Sequence, residues 1–133
     1  MDLLRSDLTD SIIKTFYDVY NELGYGFLEK VYQNSMYLEL SARGFKVEAQ
    51  KPIKVLYKGT EVGEYYADLV VDELVILELK AADVIVKEFE WQLLNYLRST
   101  DMEVGLLLNF GKKPEFIRRV FENSRKIRIY PRL

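Results

Sequence analysis

The chain has 133 residues, 49% of them hydrophobic and 14% aromatic, which is enough to bury one core, so a single domain over residues 1–133 is expected. It contains no cysteine and no histidine, which excludes disulfides, Cys/His zinc sites, Ser-His triads and imidazole acid-base chemistry. Any catalysis must therefore use carboxylates, Lys, Tyr, Ser or a metal bound by oxygen atoms. No apolar run is long enough for a membrane span or a signal peptide, so we expect a cytoplasmic protein with no membrane partner.

The net charge of -2 is unevenly distributed along the chain. Residues 112–133 carry eight basic and two acidic side chains, a net charge of +6, whereas residues 1–111 carry -8. The C-terminal end is therefore a candidate surface for phosphate groups. The alternative is that these charges lie on the solvated faces of a terminal helix and strand.

Two helical patterns precede residue 45. Apolar positions recur at helical spacing from Thr9 to Leu23, and Gly24 ends this first predicted helix. A second pattern follows Gly26 and ends at Arg43 and Gly44, which predicts a helix of about 17 residues capped by glycine.

From Phe45 the apolar period changes to two, which predicts β-strands. The predicted strands cover residues 45–49, 53–57, 61–71 and 74–81. Asp72 and Glu73 separate the last two strands, and such a short polar connection predicts a tight hairpin.

The remaining pattern predicts a helix from Val86 to Ser99, a buried strand from Val104 to Phe110, a helix that begins at Pro114 and a short strand from Lys126 to Tyr130. The predicted helix at 86–99 crosses between the fourth and fifth strands, which favours a parallel pair there. The expected fold class is therefore α/β, with a mixed, partly antiparallel sheet and helices packed on its faces.

Charged side chains lie inside the two strands of the predicted hairpin. Side-chain alternation places Glu78 and Lys80 on one side of their strand, and the hairpin register places Asp68 opposite Leu77, one step from Glu78. Two converging carboxylates form the oxygen-rich site that a hard cation such as Mg²⁺ prefers, and a lysine beside them can orient a water or offset developing charge. The alternative is an ordinary pair of Glu78 and Lys80 on a half-exposed strand, with Asp68 solvated.

Two helices add polar residues to this pattern. Gly26, Glu29 and Tyr32 recur every three residues, which places Glu29 beside Tyr32, and Gln92 and Tyr96 are four residues apart on one helix face. The alternatives are that Glu29 complements the helix dipole and that Gln92 borders the core.

Five segments carry a resemblance to a known family: GFLEKVY at 26–32, YADLVV at 66–71, VILELKA at 75–81, QLLNYL at 92–97 and GLLLNFG at 105–111. Through their order and intervals the chain resembles the GxxExxY proteins, a branch of the PD-(D/E)XK nuclease superfamily, over the range from Thr9 to Val120. Several ordered motifs are far more specific than any one of them.

The resemblance implies a restriction-endonuclease-like mixed β-sheet flanked by α-helices, with a metal-dependent phosphodiesterase site that uses Mg²⁺ or Mn²⁺. It implies that Asp68 and Glu78 bind the metal, that Lys80 is the motif lysine, and that Glu29 and the carbonyl of Leu79 are further ligands. Asp68, Glu78, Lys80 and Glu29 are thus the expected catalytic set.

The resemblance also assigns supporting roles and partners. Gln92 and Tyr96 resemble the QxxxY element of RecB-like nucleases, and together with Tyr32 they are expected to support the site or contact nucleic acid. The expected partner is nucleic acid, with DNA as the substrate, and a homodimer would suit action on both strands of a duplex.

A function of a different class stays open. The chain could be a non-catalytic regulatory or protein-interaction module on a nuclease-like fold, since folds are often retained for other purposes. In that case Tyr17, Tyr25, Tyr65 and Tyr66 are the aromatic side chains expected at its interface.

Overall fold

The computed structural model describes residues 4–126. Its elements in chain order are α1 Ser6–Leu23, α2 Glu29–Ala42, β1 Val47–Tyr57, β2 Thr60–Val71, β3 Val75–Lys80, α3 Lys87–Arg98, β4 Val104–Phe110, β5 Pro114–Val120 and a short 3₁₀ helix Asn123–Arg125. The five strands form one sheet in the order β1-β2-β3-β4-β5. Of these neighbouring pairs, β3–β4 is parallel and the others are antiparallel. The reason is that α3 connects β3 to β4 and returns the chain to the end of the sheet at which β3 began. The predicted mixed α/β architecture is confirmed.

Helices cover both faces of the sheet. On one face, α1 and α2 bury residues such as Ile12, Phe16 and Met36 against alternate residues of β2, β3 and β4. On the other face, α3 buries Leu93 and Leu97 against the intervening strand positions. Because both faces of β3 are covered, five of its six residues are buried, which explains its continuous apolar sequence.

The predicted helices α1, α2 and α3 and the strand β4 are confirmed, with ends shifted by a few residues at most. The predicted strands at 45–49 and 53–57 are one continuous strand, β1, paired with β2 along its length. None of the helices formed by residues 4–126 combines the length and the apolarity that a membrane crossing requires.

The predicted helix at Pro114 is wrong. Residues Pro114–Val120 form strand β5, which pairs antiparallel with β4 from Phe110↔Pro114 to Val104↔Val120. A proline without an N–H group is equally suited to the first residue of an edge strand and to a first helical turn. The neighbouring β4 decides between them, because its free edge offers a full ladder of hydrogen bonds.

The basic C-terminal end is partly engaged in tertiary contacts. Arg118 donates to Thr9 and to the carbonyl of Leu4, whereas Arg119 donates to Glu90. These two guanidinium groups therefore stabilise helices on opposite faces of the sheet. The predicted strand from Lys126 to Tyr130 lies outside the described residues except for Lys126, which follows the 3₁₀ helix and is not in a strand.

Candidate active site

The candidate site lies where backbone pairing between β2 and β3 ends, a place we call the β2–β3 fork and define by Asp68, Glu78 and Leu79. The ladder's last pair toward the site is Leu69↔Leu77, although both strands continue. Beyond it, Asp68 N donates to Glu78 Oε2 at 3.0 Å and Leu79 N donates to Asp68 Oδ2 at 2.8 Å. Each carboxylate thus satisfies a backbone N–H group that the ladder no longer pairs.

The predicted register of the hairpin was wrong by one residue. Asp72 and Glu73 both have positive φ, and Leu74 N donates to Val71 O at 2.9 Å, so the first pair after the turn is Val71↔Val75. Continued along the strands, this register sets Asp68 opposite Glu78 rather than opposite Leu77. The two carboxylates therefore lie closer than the sequence predicted, and their adjacency is confirmed.

Glu78 is a buried carboxyl group, with only 4% of its surface exposed. Its pKa is raised to about 8, first by burial and then by the Asp68 carboxylate, while the hydrogen bond from Asp68 N and the Lys80 charge act in the opposite direction. A buried carboxyl group with a specific charged partner is typical of a functional site.

Asp68 and Glu29 belong to the same electrostatic cluster. Burial raises the pKa of Asp68, and the Leu79 N–H group and the charges of Lys80 and Lys30 oppose that rise. Glu29 is the first residue of α2 and is solvent-exposed, yet partial burial raises its pKa, with Lys80 lowering it and Asp68 raising it. Three carboxylates from α2, β2 and β3 therefore act on one another.

Lys80 lies beside these carboxylates at the end of β3. Its Nζ atom is 4.7 Å from the centroid of the Phe89 ring on α3, a distance typical of a cation–π contact. Its charge lowers the pKa of Glu29, Asp68 and Glu78. The ammonium group is thus held between an aromatic ring and the acidic cluster.

The donor set fits a hard divalent cation. Within residues 4–126, no group of three or more Asp, Glu, His or Cys side chains closes around one point as a complete cage. Mg²⁺ does not need such a cage, since it commonly takes one or two carboxylates and completes its shell with water and substrate phosphate oxygens. Asp68 and Glu78 supply one half-buried and one buried carboxyl group, and a cation would offset their desolvation and their mutual repulsion.

The helix α3 supplies Gln92 and Tyr96, the pair predicted from spacing. Gln92 Nε2 donates to Tyr96 Oη at 2.7 Å. Tyr96 is 4% exposed, and its pKa is raised to about 12 by burial and by the charges of Glu78 and Asp68. The phenol is therefore a neutral neighbour of the carboxylates, held in place by the amide.

Tyr32 supports the site from the core. Its ring is fully buried and stacks on Phe110 with a centroid distance of 4.3 Å. Its hydroxyl donates to Gly24 O at 2.7 Å and accepts from Phe27 N at 3.2 Å. These bonds hold the loop before α2, so Tyr32 positions Glu29 and leaves no ring surface for nucleic acid.

Gln50 is a site residue that the sequence analysis missed. It lies in β1 between the pairs Ala49↔Leu69 and Lys51↔Ala67, directly across from Asp68. Its φ of 54° is rare for a non-glycine residue within a strand. Its side-chain amide lies close enough to Asp68 to lower the pKa of that carboxyl, and it donates to Gln33 Oε1 at 3.3 Å.

Residues 50–52, Gln-Lys-Pro, interrupt the apolar alternation of β1, and this interruption predicts a break between two strands. It is also the local signal for Gln50, because an irregular backbone position inside a strand is often found at a functional site.

Asn109 was missed as a second supporting residue. It is fully buried, and its amide donates to Ala82 O and accepts from Ala82 N, each at 2.9 Å. These two bonds hold the chain as it leaves β3 just after Lys80. A Cβ atom at Gly111 would lie 2.4 Å from Ala82 O, so glycine is required for the same close approach.

The four tyrosines considered for a protein interface differ in exposure. Tyr25, Tyr65 and Tyr66 are at least half exposed, at 55%, 50% and 50%. Tyr17 packs against the core beside α1 and is only partly exposed, so it does not belong to a surface patch with the other three.

Comparison with known proteins agrees with this geometry. The family model for the PD-(D/E)XK nuclease superfamily matches residues 6–120. No curated protein matches the chain. The crystal structure of SSO0001 is similar with a TM-score of 0.60 and 15% sequence identity, over 89% of this chain and 62% of that one. The chain thus spans less than two thirds of that protein, and the likeness concerns the fold alone.

Proposed function

The chain belongs to the PD-(D/E)XK nuclease superfamily, and on this premise we propose that it is a metal-dependent nuclease that hydrolyses phosphodiester bonds in nucleic acid, with DNA as substrate and Mg²⁺ or Mn²⁺ as cofactor. The observation that carries the proposal is the β2–β3 fork. A half-buried and a buried carboxyl group there each accept a hydrogen bond from a backbone N–H group of the neighbouring strand, with a lysine beside them. A purely structural strand would have no reason to bury that charge.

The GxxExxY assignment is part of this proposal. Gly26 has a φ of +112°, which supports its role in the turn before α2. Glu29 is the first residue of α2 and lies beside the acidic cluster, and the Tyr32 hydroxyl donates to Gly24 in the preceding turn. Gly26 and Tyr32 therefore both help to position Glu29.

Asp68 and Glu78 would hold the metal, with Glu29 and the carbonyl of Leu79 as further ligands. When bound, such an ion supplies Lewis acidity toward a phosphate oxygen and lowers the pKa of a water. Lys80 orients the attacking water and stabilises the negative charge that develops on the phosphate in the transition state. Since the chain has no histidine, water is the simplest proton donor to the leaving oxygen.

Tyr96 and Gln92 have a positioning role in this mechanism. Burial and the charges of Glu78 and Asp68 raise the pKa of Tyr96 and keep its phenol neutral, while the hydrogen bond from Gln92 fixes the position of the hydroxyl. Gln50 holds Asp68 from the β1 side. Together they restrict the rotamers of the acidic residues, which catalysis by positioned groups requires.

The test is cleavage of a panel of labelled single- and double-stranded DNA and RNA at varied Mg²⁺ and Mn²⁺. We expect Lys80→Ala and Glu78→Ala each to reduce cleavage by more than about 100-fold. Lys54→Ala, on an exposed side chain of β1, is the matched control and should leave the rate unchanged. Full activity in either site variant, with folding verified by circular dichroism, would overturn the proposal.

The second candidate function is a protein-interaction module, whose partner could be a second copy of the chain. The half-exposed side chains of Tyr25, Tyr65 and Tyr66 favour it. Calorimetric titration with Mg²⁺ or Mn²⁺ separates the two functions. Binding that Asp68→Ala removes supports the nuclease, whereas no binding at millimolar metal supports the interaction module.

A further inference from the structure

The outer face of α3 carries two adjoining hollows of about 370 and 570 Å³. The first extends toward β2 and is lined by Tyr65 and Tyr96 among others, and the second extends toward Phe121 and Arg125. Both are lined by Trp91, Asn95 and Arg98, so they meet along α3. We call the pair the α3 groove and define it by Tyr65, Trp91, Asn95, Tyr96, Arg98 and Arg125.

Aromatic rings face solvent in this groove. Trp91 is 57% exposed and Tyr65 is 50% exposed. The Tyr65 ring lies 5.6 Å from the Tyr96 ring with an interplanar angle of 42°, so the two do not stack face to face. Trp91 of α3 and Tyr65 of β2 thus offer uncovered ring surface to the same hollow, and every nucleobase presents a π-face that can cover them.

The charges of the groove favour an anionic occupant. Arg98 donates to Asn95 Oδ1 at 3.3 Å, and Arg125 lies 5.8 Å from the centroid of the Phe121 ring. Neither guanidinium forms an ion pair with another residue of the described range 4–126. Glu88 is the acidic residue at the rim. Two available arginines beside uncovered rings match the backbone and bases of a nucleic-acid strand.

The groove adjoins the candidate active site through Tyr96 and Gln92. Tyr96 lines the first hollow and also packs close enough to Glu78 and Asp68 for their charges to act on its hydroxyl. Gln92, which bonds Tyr96, lines the same hollow. A strand lying in the groove would therefore contact the two side chains that separate it from the carboxylates.

We propose that the α3 groove binds unpaired nucleobases, so that the preferred substrate is a single strand, or the frayed end of a duplex, running from the β2–β3 fork toward Arg125. This inference rests on the proposed nuclease function and names its substrate class. Paired bases keep their faces inside the duplex stack and cannot cover Trp91 or Tyr65. An unpaired strand can do so while its phosphates meet Arg98 and Arg125.

Trp91 is the single tryptophan of the chain, so its fluorescence reports on the groove directly. The protein is titrated without metal, in EDTA, with a 12-nucleotide oligo(dT) and with a duplex of 12 base pairs. We expect oligo(dT) to quench Trp91 and to bind about 10-fold more tightly than the duplex. Anisotropy of a labelled oligo(dT) should show binding about 10-fold weaker for Trp91→Ala and near wild type for Trp91→Phe, which keeps an aromatic face.

Tyr37→Ala is the matched control, because Tyr37 is a 39% exposed aromatic residue on α2, on the opposite face of the sheet. It should leave oligo(dT) binding unchanged. Equal affinity for duplex and single strand, or unchanged binding by Trp91→Ala, would overturn the inference. Emission from Trp91 that depends on protein concentration without nucleic acid would also overturn it and assign the groove to a second copy of the chain.

Binding and cleavage are read separately, so the two proposals fail differently. Oligo(dT) binding that depends on Trp91, with no cleavage at any metal concentration, keeps this inference and removes the nuclease. Cleavage that Lys80→Ala abolishes but that shows no dependence on Trp91 or on strandedness keeps the nuclease and removes this inference.

Discussion

On the face of the sheet covered by α1 and α2, apolar side chains from both helices and from alternate strand positions form one closed cluster. Ion pairs on this face lie outside the apolar cluster; for example, Arg43 pairs with Asp18 and Glu39. The face covered by α3 buries a smaller cluster, and Glu78, open hollows and exposed rings adjoin it. Both faces have surface hollows, but only the α3 face, within the described residues, buries an acidic side chain, Glu78, for which apolar packing gives no reason.

The largest expected effect is on the α1/α2 face. Phe16 is fully buried and meets Phe110 edge-to-face at 4.8 Å, so Phe16→Ala should lower the free energy of unfolding by about 4 kcal/mol through lost burial and a residual cavity. Urea denaturation measures it. Leu38→Ala, on a 68% exposed side chain of α2, should change it by less than about 0.5 kcal/mol. Equal losses in the two variants would contradict a closed core on this face.

The second expected effect is an increase in the free energy of unfolding, caused by a substitution at Glu78 in the candidate active site. The pKa of Glu78 is about 8 in the folded protein against an ordinary value of 4.5. As pH rises from 4.5 to 8, the unfolded chain releases this proton before the folded one does, so stability is lost over that window. Glu78→Gln should therefore be more stable than the metal-free wild type, by on the order of 3 kcal/mol at pH 7.

Urea denaturation in EDTA from pH 4 to pH 8 measures that difference, which should shrink toward zero at the acidic end. A wild type that is as stable as Glu78→Gln at every pH would show that the buried carboxyl carries no electrostatic cost. The comparison between the two faces would then lose its basis.

A smaller effect concerns the backbone at Gln50. Both Gln50→Ala and Gln50→Gly remove the amide that lowers the pKa of Asp68, so both should weaken metal binding and cleavage to a similar extent. Only glycine accepts the φ of 54° without strain, so Gln50→Gly should be more stable than Gln50→Ala by about 1 kcal/mol. Parallel thermal unfolding and calorimetric metal titration test both points. Equal stability of the two variants would argue against strain at this position.

The smallest effect is expected at the α3 groove. Trp91 is 57% exposed, so Trp91→Ala should change the free energy of unfolding by less than about 0.5 kcal/mol. Thermal unfolding followed by circular dichroism measures it. A loss of several kcal/mol would mean that the ring stabilises the fold and would weaken its assignment to ligand binding.

Much of the architecture could be predicted from local pattern. The helical spacing of Ile12, Phe16 and Val19 and the continuous apolar run of β4 follow from which faces each element buries. The ambiguous segments were those whose local signals fit two structures. Pro114 suits a helix start and an edge strand alike, and its pairing with β4 is a non-local contact that no window of sequence contains.

The candidate site likewise contains residues that the sequence predicted and residues that it did not. Asp68, Glu78 and Lys80 were identified from charges within apolar strands and from a family resemblance, and their joint position in the fork agrees with that expectation. Their catalytic roles stay predictions. Neither charge nor motif marks Gln50 and Asn109, because a single glutamine or asparagine is common in strands and loops; for Gln50 the interrupted apolar alternation is the one local signal.

Local pattern was sufficient for the three helices, most of the strands, the mixed sheet and the charged residues of the site, because periodicity and motif spacing are local properties of the chain. It was not sufficient for β5, which the pattern predicted as a helix. Tertiary pairing alone places Asp68 opposite Glu78 and Gln50 across from Asp68. Tertiary packing also brought Tyr65 of β2 beside Tyr96 of α3 to form the groove. Register and the packing of distant segments set these contacts, and their free energy depends on partners far away in the chain.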